Sequence, residues 1–355
     1  MYHYVNELAG SITLSPARFE EHCRVLAEAG WRGVGLEEAE AYFESNEALP
    51  AKSFVFSFDD GYLDNYFYAL PLLHKYGHKG VVFAVSNRLE ASDAPRACIT
   101  DLLENKVTVP DVVRMPQERT SQGFTIRRDV FFNHAEARLA DTHGTLAIAS
   151  HSRGHYGVCV GPEYNGFFKP GSMSRTFYRT EDAMPWGVPN FKVRAGLFHR
   201  AFVLNPELVA AVTKLVPQNF DSAVEFFANE KNGHDLARQV AGFSGRLGRY
   251  ESDAERRERM WREINGGKSE LEAILGHSVR SLCWPWGEFC EEARGLARDA
   301  GFRVFFTTKE GINPPGEACA IHRFKAKDKN GAWLRSRAFL YSRPFLGSLY
   351  AKMRM

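Results

Sequence analysis

Cysteine is sparse and scattered in this 355-residue chain. The six residues Cys23, Cys98, Cys159, Cys283, Cys290 and Cys319 include no C-x-x-C pair. That spacing excludes a zinc ribbon and a thioredoxin-like site, and the thiols read as mostly reduced and packed. An excess of charge is missing as well. With 45 Lys and Arg against 43 Asp and Glu, the net +2 supplies no broad field for nucleic acid. No stretch reaches the roughly 18 consecutive apolar residues of a membrane span. Residues 1–5 enter folded pattern without a charged-then-apolar signal segment, so the expected setting is cytoplasmic, and extracytoplasmic only if a leader has been removed. There is no internal repeat and no low-complexity tract.

What is present is an ordinary globular composition, 44% apolar and 25% charged, long enough for a buried core. Residues 2–5 alternate and favour a strand. Ser15-Pro16 supplies an N-cap with proline at the first helical position. Phe19, Cys23, Leu26 and Ala29 then recur at helical spacing until Gly30. Residues 52–58 form an aromatic, β-branched run that ends at Asp59-Asp60-Gly61, and 64–76 read as a helix stopped by Gly77. A strand over 80–85 completes a βαβ unit, which implies parallel pairing. The alternation returns with strands at 146–149, 281–284 and 302–308. Helices are expected over 253–275, interrupted at Gly266-Gly267, and over 288–300. Repeated βα units favour a (β/α) barrel or an open doubly wound sheet.

Two long stretches, about 90–127 and 156–250, do not fit the repeat and are expected to be functional insertions or to carry structure of their own. After Asp328 come six basic residues (Lys329, Arg335, Arg337, Arg343, Lys352 and Arg354), no acid, and large apolar or aromatic side chains that include Trp333, Phe339, Tyr341, Phe345 and Tyr350. The simpler expectation is a terminal helix packed on the domain with its basic face in water. The alternative is contact with an anionic membrane surface.

The chemistry concentrates at strand ends. Asp59-Asp60 follows one strand and His151-Ser-Arg-Gly-His155 follows another, and in parallel α/β folds such ends share one mouth. One Asp and two His suit zinc and other divalent first-row metals, and three protein ligands leave positions for water and substrate. Asp60 can hold the ion while Asp59 takes a proton from the bound water, yielding a nucleophile suited to an acyl carbon. A tetrahedral intermediate would then need an oxyanion donor, and a leaving amine would need a general acid. His3, His199 and His322 are all open as that acid. Taken alone, Asp-Asp-Gly is also a common turn, and His-x3-His arises easily among 12 histidines. It is their joint placement at strand ends that points to a site.

These residues resemble motifs of the polysaccharide deacetylases with NodB homology, a group of metal-dependent carbohydrate esterases. Phe56-Ser-Phe-Asp-Asp-Gly-Tyr62 is similar to the first motif and Ser150-His-Ser-Arg-Gly-His155 to the second. Ser281-Leu-Cys-Trp-Pro-Trp-Gly287 is similar to a later aromatic-Pro-aromatic-Gly motif. The opening Met1-Tyr-His-Tyr-Val5 resembles the branch that includes the poly-N-acetylglucosamine deacetylases. The resemblance implies a distorted (β/α) barrel over 1–328, with 329–355 as a basic aromatic tail. It implies Asp59 as general base, His3 as general acid, and Asp60, His151 and His155 as ligands of one divalent ion, Zn2+ ahead of Ni2+, Co2+ or Mn2+. Trp284, Pro285, Trp286 and Gly287 would line the groove, with the Trp286 N–H serving the oxyanion. The implied substrate is an N-acetylated glycan or lipid-linked sugar.

The pattern departs from the family in three ways. Cys283 and Trp284 stand where an arginine is usual, so Arg153 and Arg323 are the candidates to orient Asp59. Asp60 and His151 are further apart than the family suggests, which makes 90–127 an insertion beside the site. The segment 156–250, with Met184-Pro-Trp-Gly-Val-Pro189, would cap the groove. Two competing readings are a metal-dependent amidase for a small non-sugar amide and a catalytically silent glycan-binding module.

Overall fold

The computed structural model describes residues 1–8, 10, 12–107, 117–120, 123–170 and 185–353. Five strands form one parallel sheet: β1 (Phe56–Asp60), β2 (Gly80–Ala84), β3 (Leu146–Ser150) and, beyond an antiparallel pair formed by β4 (Gly157–Phe167) and β5 (Pro189–Ala195), β6 (Ser281–Cys283) and β7 (Val304–Phe306). Their order is β7-β6-β3-β2-β1, with Asp59 opposite Phe83 and Asp60 opposite Ala84. Alternation sorts the side chains to two faces. Phe56, Phe58, Val82, Ile148 and Leu282 join the outer core under the helices, whereas Val81, Phe83, Ala149, Cys283 and Phe306 fill the concave interior. The helix Leu36–Ser45 plugs one end of that interior with Ala39 and Phe43.

Two extended segments bridge the outer edges. Tyr2 lies on β1, its N–H donating to Ser57 O (2.8 Å) while Asp59 N–H donates to Tyr2 O (3.0 Å). Ile321 lies on β7, its N–H donating to Phe305 O (2.7 Å). These segments meet where the Met1 amine donates to Phe324 O (3.0 Å) and Ala326 N–H donates to Met1 O (2.9 Å). The sheet is thereby curled into a distorted (β/α) barrel, and residues 1–3 become part of its wall.

Element boundaries differ from the sequence expectation in instructive places. The strand expected over 52–58 splits, with Ser53–Phe54 pairing elsewhere, and β1 continues through both aspartates because their backbone groups are paired on each side. The helix after Asp64 opens with a wide turn, Asn65–Ala69, just before Pro71. Proline supplies no amide hydrogen there, and a widened turn is one way around a missing bond. Gly266-Gly267 does not interrupt the second charged helix; a wide turn at Arg262–Gly266 leads into Gly267–Leu275. A Cβ at Gly267 would stand 2.6 Å from Arg153 N, so glycine lets this helix lie against the loop that follows β3.

Within the described part of 156–250, the β4–β5 pair is followed by helices Pro206–Thr213, Phe220–Ala228 and Glu230–Ala241. Phe168, Trp186, Val188, Leu208, Val212 and Leu236 give this part a core of its own. Met184 lies outside the described residues. The earlier stretch contains the helix Ile99–Leu103 and an antiparallel strand pair, Gln117–Thr120 with Gly123–Ile126. The terminal segment is two helices, Gly331–Tyr341 and Pro344–Lys352, the first packed on helix Pro16–Glu28; Arg354 is outside the described residues. Among the described residues no helix is long and apolar enough to cross a membrane.

Candidate metal centre

The ends of β1 and β3 bring three ligand types together. Asp60 Oδ1 lies 3.8 Å from Nε2 of both His151 and His155, and all three residues are buried. His151 Nδ1 is 2.8 Å from Cys283 O. A carbonyl only accepts, so the ring proton sits on Nδ1 and the Nε2 lone pair faces Asp60. Asp60 Oδ1 has no hydrogen-bond partner among the described residues although it is buried. An orphaned carboxylate oxygen facing two imidazole nitrogens is a donor set that fits a divalent cation.

The backbone here is held in unusual conformations. Seven described residues other than glycine have left-handed φ, and four of them, Asp60 (77°), Ser152 (66°), His155 (58°) and Trp286 (64°), belong to this site. Each costs of the order of 1 kcal/mol and persists only where its surroundings dictate it. Glu263 helps to dictate it. From the wide turn Arg262–Gly266 its carboxylate accepts Gly154 N–H (3.0 Å) and the Ser152 hydroxyl (3.2 Å), while its own carbonyl accepts Arg153 N–H (2.9 Å). Burial raises the pKa of Glu263 against these bonds.

Asp59 is bound by Arg323 through two hydrogen bonds, Nη1 to Oδ1 (2.6 Å) and Nη2 to Oδ2 (2.9 Å). The same guanidinium donates through Nε to Thr307 O (2.8 Å) and reaches Cys283 Sγ at 2.9 Å. Burial pushes the Asp59 carboxyl up, but Arg323 and then His151 outweigh it, so the group stays well below the ordinary carboxylate range. Arg153 does not reach Asp59. It donates to Glu270 Oε1 (2.8 Å), because the loop carrying it turns towards the helix Gly267–Leu275.

His3 enters through the wall segment, with its carbonyl accepting from Asn65 Nδ2 (2.9 Å). Its Nδ1 is buried with no hydrogen-bond partner among the described residues. Burial lowers its pKa, and the carboxylates of Asp59 and Asp60 oppose that. Neither of the other candidate acids is placed so: His199 lies 3.8 Å from Glu288, and His322 lines a separate cavity. Sequence reading missed Asp64, which is buried and accepts from Val5 N (3.1 Å), Asn6 Nδ2 (2.5 Å) and Asn65 Nδ2 (2.5 Å), anchoring the segment that delivers His3. Its position five residues after Asp59 is the only signal the sequence offers.

The aromatic motif divides. Trp284 is fully buried between Phe289 (4.7 Å) and Phe305 (5.5 Å) and offers no face to a ligand, because alternation along β6 sends it to the outer core. Trp286 is 40% exposed with its ring 5.7 Å from that of His155. Pro285 and Gly287 are buried, and a Cβ on Gly287 would collide with Thr308. The insertion begins directly after His155 and returns at 195–199, where Arg259 binds Gly196 O (2.7 Å) and Cys290 N–H donates to Leu197 O (3.2 Å).

Fold and site together define a (β/α) barrel with a buried Asp-His-His cluster and an adjacent arginine-held aspartate. Residues 46–158, the span that carries both metal motifs, match the polysaccharide deacetylase family. An 89-residue stretch is 32% identical to YxkH of Bacillus subtilis, whose name assigns it provisionally to the polysaccharide deacetylases. The match spans 25% of this chain and about a third (32%) of that relative's length. Among solved structures, the de-N-acetylase from Aggregatibacter actinomycetemcomitans superposes with a TM-score of 0.59 at 17% identity, over 94% of this chain and 97% of its own. The deacetylase domain of BpsB from Bordetella bronchiseptica gives 0.54 at 19% identity, covering 91% and 88%, and IcaB from Ammonifex degensii gives 0.53 at 17%, covering 95% and 94%. At these identities the structural likeness concerns the fold, and it extends across nearly the whole chain.

Proposed function

We propose that this protein is a metal-dependent deacetylase that hydrolyses the acetyl amide of an N-acetylated amino sugar in a glycan or lipid-linked sugar. The observation that carries this reading is the buried Asp60, His151 and His155 cluster beside an Asp59 held ionised by Arg323. The names of the structural neighbours, which include a de-N-acetylase, support the substrate class.

Asp60, His151 and His155 would hold one divalent ion, with zinc the first choice for two imidazoles and a carboxylate. Such an ion supplies a more acidic water and polarises an acyl carbonyl. Asp59 is the base that receives the water's proton; its two bonds to Arg323 fix the carboxylate plane and leave it charged. His3 is the acid that gives a proton to the departing amine, and its low intrinsic basicity in a buried wall helps it to release that proton. The Trp286 N–H, set by the left-handed turn, is proposed to face the developing oxyanion. The exposed ring of Trp286 offers a surface for a sugar, and the domain is read as one barrel over 1–328 carrying two insertions.

Acetate release from chitooligosaccharides, measured for the zinc-loaded wild type and for Asp59→Asn, tests the reading. Release that the variant lowers by at least ~10²-fold is the expected result. Equal release from both would remove Asp59 as base, and none from either would remove the substrate class.

A further inference from the structure

Among the described residues a cavity lies beside the barrel wall, lined by Arg323 but by none of Asp60, His151 and His155. It occupies about 580 Å³ beside the seam between β1 and the 321–326 segment, with Met1, Ser57 and Arg323 among its lining residues. Its walls are mainly apolar, with Leu26, Trp31, Phe54, Phe56, Phe324 and Tyr341 among them. That volume is in the range of sites for small organic ligands, and an apolar lining this extensive selects hydrocarbon. The polar groups around it are mostly engaged. Tyr42 donates to Asn313 O (3.0 Å), and Asn313 exchanges two hydrogen bonds with the His322 backbone.

The entrance is asymmetric in charge. Lys52, Ser342 and Pro344 are exposed lining residues; Lys52 Nζ gives one hydrogen bond to Ala29 O (2.9 Å) and keeps two further N–H donors, whereas the Arg343 guanidinium lies over the Phe339 ring (4.3 Å). No carboxylate is among the lining residues, and Glu310, next to the lining residue Gly311, accepts from the Tyr341 hydroxyl. Beyond the entrance, the terminal helices expose Phe345 (80%) and Met353 (77%) and carry basic residues with no acid after Asp328. A hydrocarbon-lined crevice whose mouth is basic complements a molecule with one apolar chain and an anionic head.

We propose that this seam cavity binds the chain of a single-tailed anionic amphiphile, a fatty carboxylate or a prenyl phosphate, with the head at Lys52. The site shares Arg323 with the deacetylase centre but none of the Asp60, His151 and His155 cluster, and its binding does not depend on metal. Its chain end would abut Arg323, the residue that holds Asp59.

Calorimetric titration of the delipidated, metal-free full chain with palmitate and with geranylgeranyl phosphate, each below its aggregation threshold, tests this. Saturable one-to-one binding of either supports the proposal, and the arm that binds identifies the chain. 1-Hexadecanol, lacking the charge, should bind at least ~5-fold more weakly than palmitate, as should palmitate to Lys52→Glu. Ser342→Trp, at an exposed position that leaves the core intact, should weaken binding at least ~10-fold with an unchanged circular dichroism spectrum. Absence of saturable binding, binding to phosphatidylglycerol vesicles alone, or binding indifferent to Ser342→Trp would overturn the proposal. None of these results touches the assignment of the metal centre.

Discussion

Arg323 and Asp59 lie 264 positions apart in sequence and meet in a two-pronged ion pair, both side chains almost fully buried. Truncating one member of such a pair strands the other charge. Arg323→Met is therefore expected to lower acetate release by at least ~10²-fold while the protein still binds one metal ion, because no ligand of the cluster is touched. Lysine at 323 cannot span both oxygens and should restore only part of the loss. Steady-state kinetics beside metal analysis on the same samples checks this. Parallel loss of metal would mean that Arg323 supports the fold of the site and not the base.

His3→Gln should reduce kcat by about 10²- to 10⁴-fold with little change in KM and full metal content, the pattern expected when only proton delivery is lost. An ester substrate with a good leaving group needs less protonation and should lose much less. Equal loss on both substrates would contradict the role of His3 as acid.

Asp64 makes stability depend on pH. Burial raises its pKa from 3.8 to about 7, against hydrogen bonds from Asn6, Asn65 and the Val5 backbone that pull it down. Because the folded value lies above the unfolded one, the native state holds the extra proton between these limits. This residue's contribution is most favourable below the unfolded value and is lost as pH rises through about 7. Urea denaturation of wild type and Asp64→Asn across pH 5 to 8 should show the wild type losing stability with rising pH more steeply than the variant. Parallel slopes would place the titration elsewhere.

The barrel and the meeting of Asp60, His151 and His155 were legible in the sequence because they rest on short-range signals. The βα alternation fixed the class of fold, and Asp59-Asp60 and His151-His155 each follow a recognisable strand. Long-range contacts were not legible. Arg153, which lies between His151 and His155 in the sequence, turns away to Glu270, whereas Arg323 arrives through a segment with no strand pattern that pairs with Met1. Trp284 and Trp286 look equivalent in the motif, yet one is locked in the core and the other is half exposed, since the chain leaves the strand between them. Glu263 and Asp64 carry no motif at all, and their roles appear only when the wide turns that aim them are seen.

That division predicts opposite phenotypes for the two tryptophans. Trp284→Ala should destabilise the fold by about 3–5 kcal/mol, as for other fully buried aromatics. Trp286→Ala should leave the melting temperature within a few degrees and raise KM for oligosaccharides. Thermal denaturation with steady-state kinetics separates these outcomes, and a destabilised Trp286→Ala with unchanged KM would refute the surface role.

Glu263 supports the loop that follows β3 without touching the cluster. Its replacement by Gln keeps shape but removes the charge that accepts Gly154 N–H and the Ser152 hydroxyl, and an affinity loss of about 10- to 100-fold for zinc is expected. Competition with a chromophoric chelator measures it. Unchanged affinity would show that the left-handed residues of the loop hold their geometry unaided.

The most direct test of the central claim is the zinc stoichiometry of the purified chain, measured by plasma mass spectrometry after dialysis against trace metal, for wild type and for Asp60→Ala, His151→Ala and Asp59→Asn. The account predicts about one ion in the wild type and in Asp59→Asn, and close to none in the two ligand variants. One ion retained by Asp60→Ala and His151→Ala, or none in the wild type, would contradict it.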